Sequence, residues 1–267
     1  MDNSTWQDSL KNIISSIAPT NKEANITIQD IRSALTSGRE IIDQAFYDQA
    51  DIQLLLEAHT ELMDATLCKL WSQHYATGKQ AISIVAVGGY GRAEMHPYSD
   101  VDLLILLEEP ANDDSQEAIS NFITQLWDLK LEIGHSVRTL DDCFEVAQND
   151  LTVITNLIEA RLLCGNSTLL DRLNIALAPD HLWESSKFFQ AKLGEQQERY
   201  KRYGDTAYRV EPNLKDGPGG LRDIHMISWV TKREYNTLSL HELYDLDLLT
   251  DKEYDSLISS RNFLWKV

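Results

Sequence analysis

The sequence predicts an α+β fold in which a small mixed sheet is flanked by helical amino-terminal and carboxy-terminal regions. Two apolar segments rich in β-branched residues, over 81–87 and 101–107, are separated by a glycine turn, as two neighbouring strands would be. Apolar residues recur at helical spacing before them, over about 29–48 and 51–77. The same spacing returns from about residue 140 onward. These three observations define the expected architecture.

We divide the chain into a helical region over 1–78, a core over 79–145 and a second helical region over 146–267. Within the core, a helical pattern over about 114–129 follows the two strands. The alternating segment over 131–137 then predicts a third strand. The core is therefore expected to mix helices and strands in a compact unit.

Local signals indicate where helices begin and end. Gly78 is the expected glycine after the helix over 51–77. Thr250 and Glu253 form a capping box, so a helix should begin there. Its helical pattern runs to Val267 without a stop signal, which suggests that the chain is part of a larger protein. The other helical patterns cover 142–148, 150–161, 166–177 and 182–203, with one long loop over 211–220.

The charge balance limits the kind of partner. The chain carries 42 aspartates and glutamates against 24 lysines and arginines, a formal net charge of −18. Polynucleotide binding needs clustered cations to neutralise phosphates, so no nucleic acid partner is expected. A nucleoside triphosphate remains compatible, because a few local cations, backbone N–H groups and bound metal can hold it at one site.

Cysteine usage and hydropathy indicate the compartment. Cys68, Cys143 and Cys164 are odd in number and widely spaced, which fits neither a disulfide framework nor a zinc site, and we interpret them as buried thiols in a reducing compartment. The longest apolar runs, IVAV and LLILL, are far shorter than the roughly 20 residues that span a bilayer. The polar amino terminus shows no targeting segment, so we expect a cytoplasmic protein without membrane contact.

The chemistry is expected around one glycine turn and two acids. Gly88 and Gly89 lack Cβ atoms, so the backbone can approach a triphosphate and direct N–H groups at its oxygens. Asp100 and Asp102, at i and i+2 on the expected strand, present both carboxylates on one face. Hard carboxylate oxygens suit Mg²⁺, with Mn²⁺ as an alternative, and two such ions would align an in-line displacement at phosphorus.

Each of these residues has a plainer structural interpretation. Asp100 is also compatible with a turn or helix cap, whereas Asp102 interrupts an apolar run where an unpaired carboxylate would be expensive. Ser99 either donates its hydroxyl to a phosphate or closes a local turn. Arg92 either contacts phosphate or forms a salt bridge with Glu94 or another acid nearby. The acidic pair carries the functional prediction, and Ser99 and Arg92 stay open.

Two long segments resemble one known family. They read GGYGRAEMHPYSDVDLLIL over 88–106 and EPNLKDGPGGLRDIH over 211–225, the second preceded by residues 208–210. The first resembles the polymerase-β-like nucleotidyltransferases, and both resemble the amino-terminal transferase part of bacterial PII uridylyltransferases. The resemblance covers most of the chain from about residue 80. It implies transfer of UMP from UTP to a tyrosine of the PII signal protein, with release of pyrophosphate.

Full-length relatives of this kind also carry an HD-type hydrolase that removes uridylyl groups and glutamine-sensing ACT domains. This chain has no His-Asp dipeptide, so we do not expect it to remove uridylyl groups. Two other functions remain alternatives: a related transferase that adenylylates a protein or small molecule, and a non-catalytic nucleotide-binding module.

The superfamily usually supplies a third carboxylate from a following strand, and Glu132 is the candidate here. Its plainer interpretation is the solvent face of an edge strand, and Asp128 is a second choice at the end of a helical pattern. His135, Ser136 and Arg138 follow at once and are candidates for lining the same cleft, although His135 also suits a half-buried structural histidine.

The loop over 211–223 has two interpretations. Lys215 and Arg222 flank its glycines and would place positive charge over a bound nucleotide. In the alternative, the glycines form a tight turn and Arg222 and Asp223 begin the next helix. The sequence leaves both interpretations open, and the resemblance gives these residues no role.

Overall fold

The computed structural model describes residues 3–18, 26–75, 80–204, 211–237 and 239–267. Gly78 and the segment 208–210 lie outside the described residues. The chain folds into two compact units, Met1–Cys143 with Ala160–Arg172 and Phe144–Glu159 with Leu173–Val267. The division into three regions at residues 78 and 145 stays a prediction.

Three helices open the first unit: α1 (Asn3–Ile17), α2 (Ile28–Tyr47) and α3 (Ile52–His74). Short polar side chains begin α2 and α3. Thr27 forms a capping box with Asp30, and the Asp51 carboxylate accepts from the first backbone N–H groups of α3. Gly38 lets α2 and α3 approach closely, because a Cβ there would lie 2.6 Å from Leu62 Cδ2.

The first unit continues with the sheet and its helices. In chain order these are β1 (Ile82–Ala86), α4 (Gly88–Gly91), β2 (Val101–Leu107), α5 (Asp113–Asp128), β3 (Ile133–Thr139) and, later in the chain, β4 (Arg161–Gly165). The sheet order is β3-β2-β1-β4. β1 pairs antiparallel with β2 and β4, and β2 pairs parallel with β3. The predicted α+β fold with a small mixed sheet and helical flanks is confirmed.

β4 is absent from the predicted elements. The helical pattern over 150–161 predicts one helix, although its last residues lie beyond the end of the helix in the structure and residue 161 already belongs to β4. The helix ends at Ile158, and β4 follows after two residues. Five residues are too few to show a clear period. Gly165 has φ +107°, and a Cβ there would lie 2.3 Å from the Ile82 carbonyl oxygen, so close backbone approach sets this strand against β1.

β3 begins two residues later than the expected segment 131–137. A left-handed residue, Lys130 with φ 59°, follows α5 and its cap, and the Leu131 N–H donates to the Leu126 carbonyl at 3.2 Å. These contacts use residues 130 and 131 to close the helix. The chain therefore enters β3 only at Ile133.

The remaining helices are α6 (Leu140–Asn149), α7 (Leu151–Ile158), α8 (Ser167–Ala176), α9 (Ser185–Arg202), α10 (Leu221–Tyr235), α11 (Leu240–Asp245) and α12 (Asp251–Lys266). The capping box predicted at Thr250 and Glu253 is present. All three cysteines are free, and Cys143 alone among them is buried, so the expectation of three buried thiols is wrong for Cys68 and Cys164. Among the described residues, no helix is both long and apolar enough to cross a membrane.

Asp223 organises the segment before α10 in the second unit. Its carboxylate accepts from Gly219 N at 2.7 Å, Tyr200 Oη at 2.5 Å and Arg199 Nη2 at 2.6 Å. A fourth donor, Gln196 Nε2, lies at 3.0 Å. Burial alone would raise the pKa of Asp223, but these hydrogen bonds lower it below its ordinary value. The helix begins here, as in the second interpretation of the 211–223 loop.

We expect Asp223→Asn to lower the free energy of unfolding by about 1–3 kcal/mol at neutral pH, because an amide accepts less well from four donors. The folded pKa lies below the ordinary 3.8, so the carboxylate's advantage is complete above that pH and disappears as pH falls through the folded pKa. Urea unfolding of both proteins between pH 3 and pH 7 checks this. A gap that stays constant with pH would contradict the prediction.

Candidate active site

The glycine turn lies directly against Asp102. The Val87 N–H donates to the Asp102 carbonyl at 3.1 Å, which extends the β1–β2 pairing past the end of β1. Gly88 then turns the chain with φ +59° into the short helix α4. A Cβ on Gly88 would lie 3.3 Å from Asp102 Oδ2. The missing side chain therefore leaves room for the carboxylate.

A second glycine borders the same carboxylate from the neighbouring strand. In the parallel register, Asp102 of β2 pairs with Gly134 of β3. A Cβ on Gly134 would lie only 2.4 Å from Asp102 Oδ1. Gly134 is not among the predicted site residues, although a glycine inside a strand pattern is a recognised signal of close approach. Asp102 is the one residue of β2 that is not fully buried.

The other two acids lie at the beginning of their strands rather than within them. Asp100 directly precedes β2, so only Asp102 lies on the strand itself. Glu132 precedes β3, and its carbonyl accepts from the Val101 N–H at 2.9 Å. The pairing of Val101 with Ile133 therefore brings Glu132 level with Asp100. Both side chains are exposed to solvent.

Ser99 and Arg92 both make contacts with residues close to them in sequence. The Ser99 N–H donates to the His96 carbonyl at 3.1 Å and closes a turn before Asp100. Arg92 Nε donates to Glu94 Oε2 at 2.8 Å, and its side chain is largely buried. A Cβ on Gly89 would lie 3.7 Å from Arg92 Nη2, so the guanidinium also borders the glycine turn.

The three residues that follow Gly134 do not share one face. Side chains alternate along a strand, so Ser136 and Arg138 lie on the face of Asp102, while His135 lies on the opposite face. The His135 ring is 6.3 Å from the ring of Trp127 on α5. The structure therefore separates His135 from the acids that the sequence analysis grouped with it.

An ion pair from outside the motif holds the glycine turn. Arg161 donates to both carboxylate oxygens of Asp64 on α3, at 2.6 and 3.1 Å, and its Nη2 also donates to the Tyr90 carbonyl at 3.2 Å. The Tyr90 hydroxyl donates to Asp64 Oδ1 at 2.6 Å. Burial, with the Asp64 charge nearby, raises the pKa of Tyr90 well above its ordinary value. The hydroxyl therefore stays protonated and acts as a donor.

The donor set suits a hard cation that is completed by a substrate. No group of three or more potential metal-binding side chains occurs within the described parts of the chain. Mg²⁺ is commonly held by one or two carboxylates together with phosphate oxygens and water. The half-buried carboxylate of Asp102 beside two glycines, with exposed Asp100 next to it, fits such a site.

Comparison with known families identifies two regions of the chain. Residues 67–161 match the nucleotidyltransferase domain family. Residues 187–267 match the family described as GlnD PII-uridylyltransferase. The chain thus resembles the PII-uridylyltransferase family. The first match contains the glycine turn, Asp100, Asp102 and Glu132, and the second contains the Asp223 segment.

Curated relatives carry the same family name. The chain is 46% identical over 248 residues to the bifunctional uridylyltransferase/uridylyl-removing enzyme of Vibrio cholerae. The aligned region covers 93% of this chain and 28% of that protein. The proteins of the same name from Photobacterium profundum and Pseudomonas entomophila are 44% and 45% identical, over 91% and 90% of this chain. The chain spans under a third of the length of these relatives, 28%, 28% and 27%.

We expect Asp64→Ala to loosen the glycine turn, because Tyr90 loses its acceptor and Arg161 its counter-ion. Backbone amides in the peptide covering 87–92 should exchange hydrogen at least about tenfold faster. This corresponds to a fall of about 1.4 kcal/mol in the free energy of local opening, which lies within the cost of a lost charged hydrogen bond. Hydrogen-exchange mass spectrometry measures this directly.

The matched control is Glu108→Ala, which removes the carboxylate of the exposed Arg172–Glu108 pair, where the atoms lie 2.7 Å apart. An exposed pair contributes at most about 1 kcal/mol, so this variant should leave exchange over 87–92 unchanged. Equal exchange over 87–92 in the Asp64 variant and the unmutated chain would contradict the role given to this ion pair.

Proposed function

We propose that the chain transfers UMP from UTP to a tyrosine hydroxyl of a PII signal protein, in a reaction that requires a divalent metal and releases pyrophosphate. The nucleotidyltransferase family match supports the reaction class, and the relatives' names support the uridylyl group. The observation that carries the proposal is the carboxylate of Asp102, set between Gly88 and Gly134 at the glycine turn.

The reaction exchanges one bond at phosphorus for another. The tyrosine oxygen forms a bond to the α-phosphorus of UTP, and the bond from that phosphorus to the α–β bridging oxygen breaks, so pyrophosphate leaves with the electron pair. Asp100 and Asp102 would hold Mg²⁺, or Mn²⁺ in its place. When bound, the metal supplies positive charge to the phosphate oxygens and aligns the displacement.

The remaining site residues would bind and orient the triphosphate. The first N–H groups of a helix have no partner within it, so Gly88 and Gly89 can present theirs to phosphate oxygens. Ser99 would donate its hydroxyl from the turn before Asp100. Arg92, held by Glu94, would place positive charge beside the glycine turn.

Glu132 would receive the proton of the tyrosine hydroxyl. It is exposed and level with Asp100 at the beginning of two paired strands, so an acceptor from solution can reach it. We also propose a cytoplasmic location, since free cysteines are usual in a reducing compartment. The net charge of −18 disfavours nucleic acid as the acceptor.

The direct test uses triphosphates labelled at the α-phosphate, a PII protein and Mg²⁺. Label from UTP should reach the PII protein, and label from ATP should not. Asp102→Asn should reduce the rate by about 100-fold or more, because electrostatic stabilisation of the transferring group is lost. Transfer from ATP alone would support the adenylylating alternative, and nucleotide binding without transfer would support a non-catalytic module.

Two glycine-to-alanine substitutions, one at the site and one as a control, test the geometry at Asp102 without changing any charge. Gly134→Ala places a Cβ 2.4 Å from Asp102 Oδ1, so the carboxylate must move and the transfer rate should fall about tenfold or more. In the control, Gly194→Ala on α9, the new Cβ meets nothing within 4 Å.

That control should leave the transfer rate unchanged and stabilise the helix by up to about 1 kcal/mol. Initial rates with labelled UTP and circular dichroism spectra of both variants provide the comparison. A folded Gly134→Ala variant with full activity would refute the proposed position of the carboxylate.

A further inference from the structure

A pocket of about 240 Å³ lies within the second unit, bordered by α7, α9, α10 and the loop before α10. Its wall carries four cationic side chains and two acidic ones among the described residues. The cations are Lys192, Arg199, Arg202 and Arg222. A local excess of positive charge is unusual in a chain whose formal net charge is −18.

Two of these cations lie over one indole ring. Lys192 Nζ is 4.1 Å from the ring centroid of Trp229, and Arg222 Cζ is 5.5 Å from it. Lys192 is only 3% exposed. Burial lowers the pKa of Lys192, and the nearby charge of Arg222 lowers it further, while Glu195 opposes both effects. The protein thus holds two like charges beside one ring, and an added anion would stabilise this arrangement.

Arg199 supplies a further donor at the same wall. Its side chain is 6% exposed, Nη1 donates to the Asp216 carbonyl at 2.7 Å and Nη2 donates to Asp223 at 2.6 Å. Arg199 Nε is buried and has no hydrogen-bond partner among the described residues. A buried N–H without a partner is costly unless a ligand or water satisfies it.

The two acids of the wall hold two of its cations in position. Glu195 accepts from Lys192 at 2.7 Å, and Asp216 accepts from Arg222 at 3.3 Å. Each acid therefore fixes one cation in place. Because lysine and arginine carry several N–H donors, each cation keeps further donors for a ligand. Glu159 accepts from the Trp229 indole N–H, so it helps to position the ring that Lys192 contacts.

We propose that this pocket binds a small phosphate-bearing anion through Lys192, Arg199 and Arg222. Guanidinium and ammonium donors that converge on one small space are typical of phosphate recognition. Because Trp229 is only 3% exposed and Lys192 Nζ lies 4.1 Å from its ring centroid, a nucleobase has little ring surface on which to stack, so the recognised group is the phosphate and not a base. The proposal goes beyond the transferase chemistry and requires neither Asp100 nor Asp102.

Isothermal titration calorimetry tests the proposal by measuring the dissociation constant of pyrophosphate for the chain, in EDTA and at constant ionic strength. Removing divalent metal separates this pocket from metal-dependent triphosphate binding. We expect one anion to bind per chain, and Lys192→Met and Arg222→Gln each to weaken binding at least about tenfold, as expected for loss of a charged hydrogen bond. The matched control is Lys187→Met on the same helix, whose side chain is 76% exposed, and it should change the dissociation constant less than about twofold.

The same titration with UTP and with uridine identifies the source of the phosphate. Binding of pyrophosphate and UTP but not uridine supports a phosphate pocket, and tighter binding of UTP indicates that a nucleotide supplies the group. If Lys192→Met fails to fold, the Arg222→Gln variant alone tests whether the pocket binds the anion. The Arg222 side chain is already 29% exposed, so this substitution should disturb the fold less.

Three outcomes would overturn the proposal: no pyrophosphate binding by the unmutated chain, equal binding by the pocket variants and Lys187→Met, or loss of binding in Asp102→Asn alone. The last result would place the anion in the first unit. The transfer assay with labelled UTP is independent of all three outcomes, so failure of one proposal does not decide the other.

Discussion

The site in the first unit depends on space for one carboxylate. Asp102 lies on a strand whose other residues are buried, and both neighbouring backbones carry glycine where they meet its oxygens, at Gly88 and Gly134. A larger residue at Gly134 would collide with the carboxylate, and one at Gly88 would need an unfavourable backbone conformation. The sheet pairing and the glycine turn together keep this acid beside open backbone, and Asp100 directly precedes its strand.

Much of this fold was accessible from the sequence because the relevant signals are local. β2 matches the predicted strand over 101–107, since a continuous apolar run interrupted by one acid leaves little choice of period. The capping box at Thr250 is equally local, because its two partners are three residues apart. The family also follows from contiguous residues, as the two motifs that indicate it are unbroken segments of the chain.

What the sequence did not reveal depends on contacts between distant residues. Gly134 matters only because the parallel register places it beside Asp102, and Arg161 meets Asp64 across 97 positions of sequence. No periodicity records such pairings. The same reason explains the missed strand β4, whose five residues are defined by pairing with β1 more than by their own pattern. The individual roles of Asp100, Asp102, Glu132, Ser99 and Arg92 stay predictions.

The ion pair of Asp64 with Arg161 has a consequence for how this protein can be divided. The nucleotidyltransferase family match begins at residue 67, after Asp64, and ends at residue 161, which includes Arg161. A fragment cut at those limits would keep the arginine, the tyrosine and the glycine turn but lose the acid that holds them together. We therefore expect a stable fragment to extend beyond the matched region and to include the whole of helix α3.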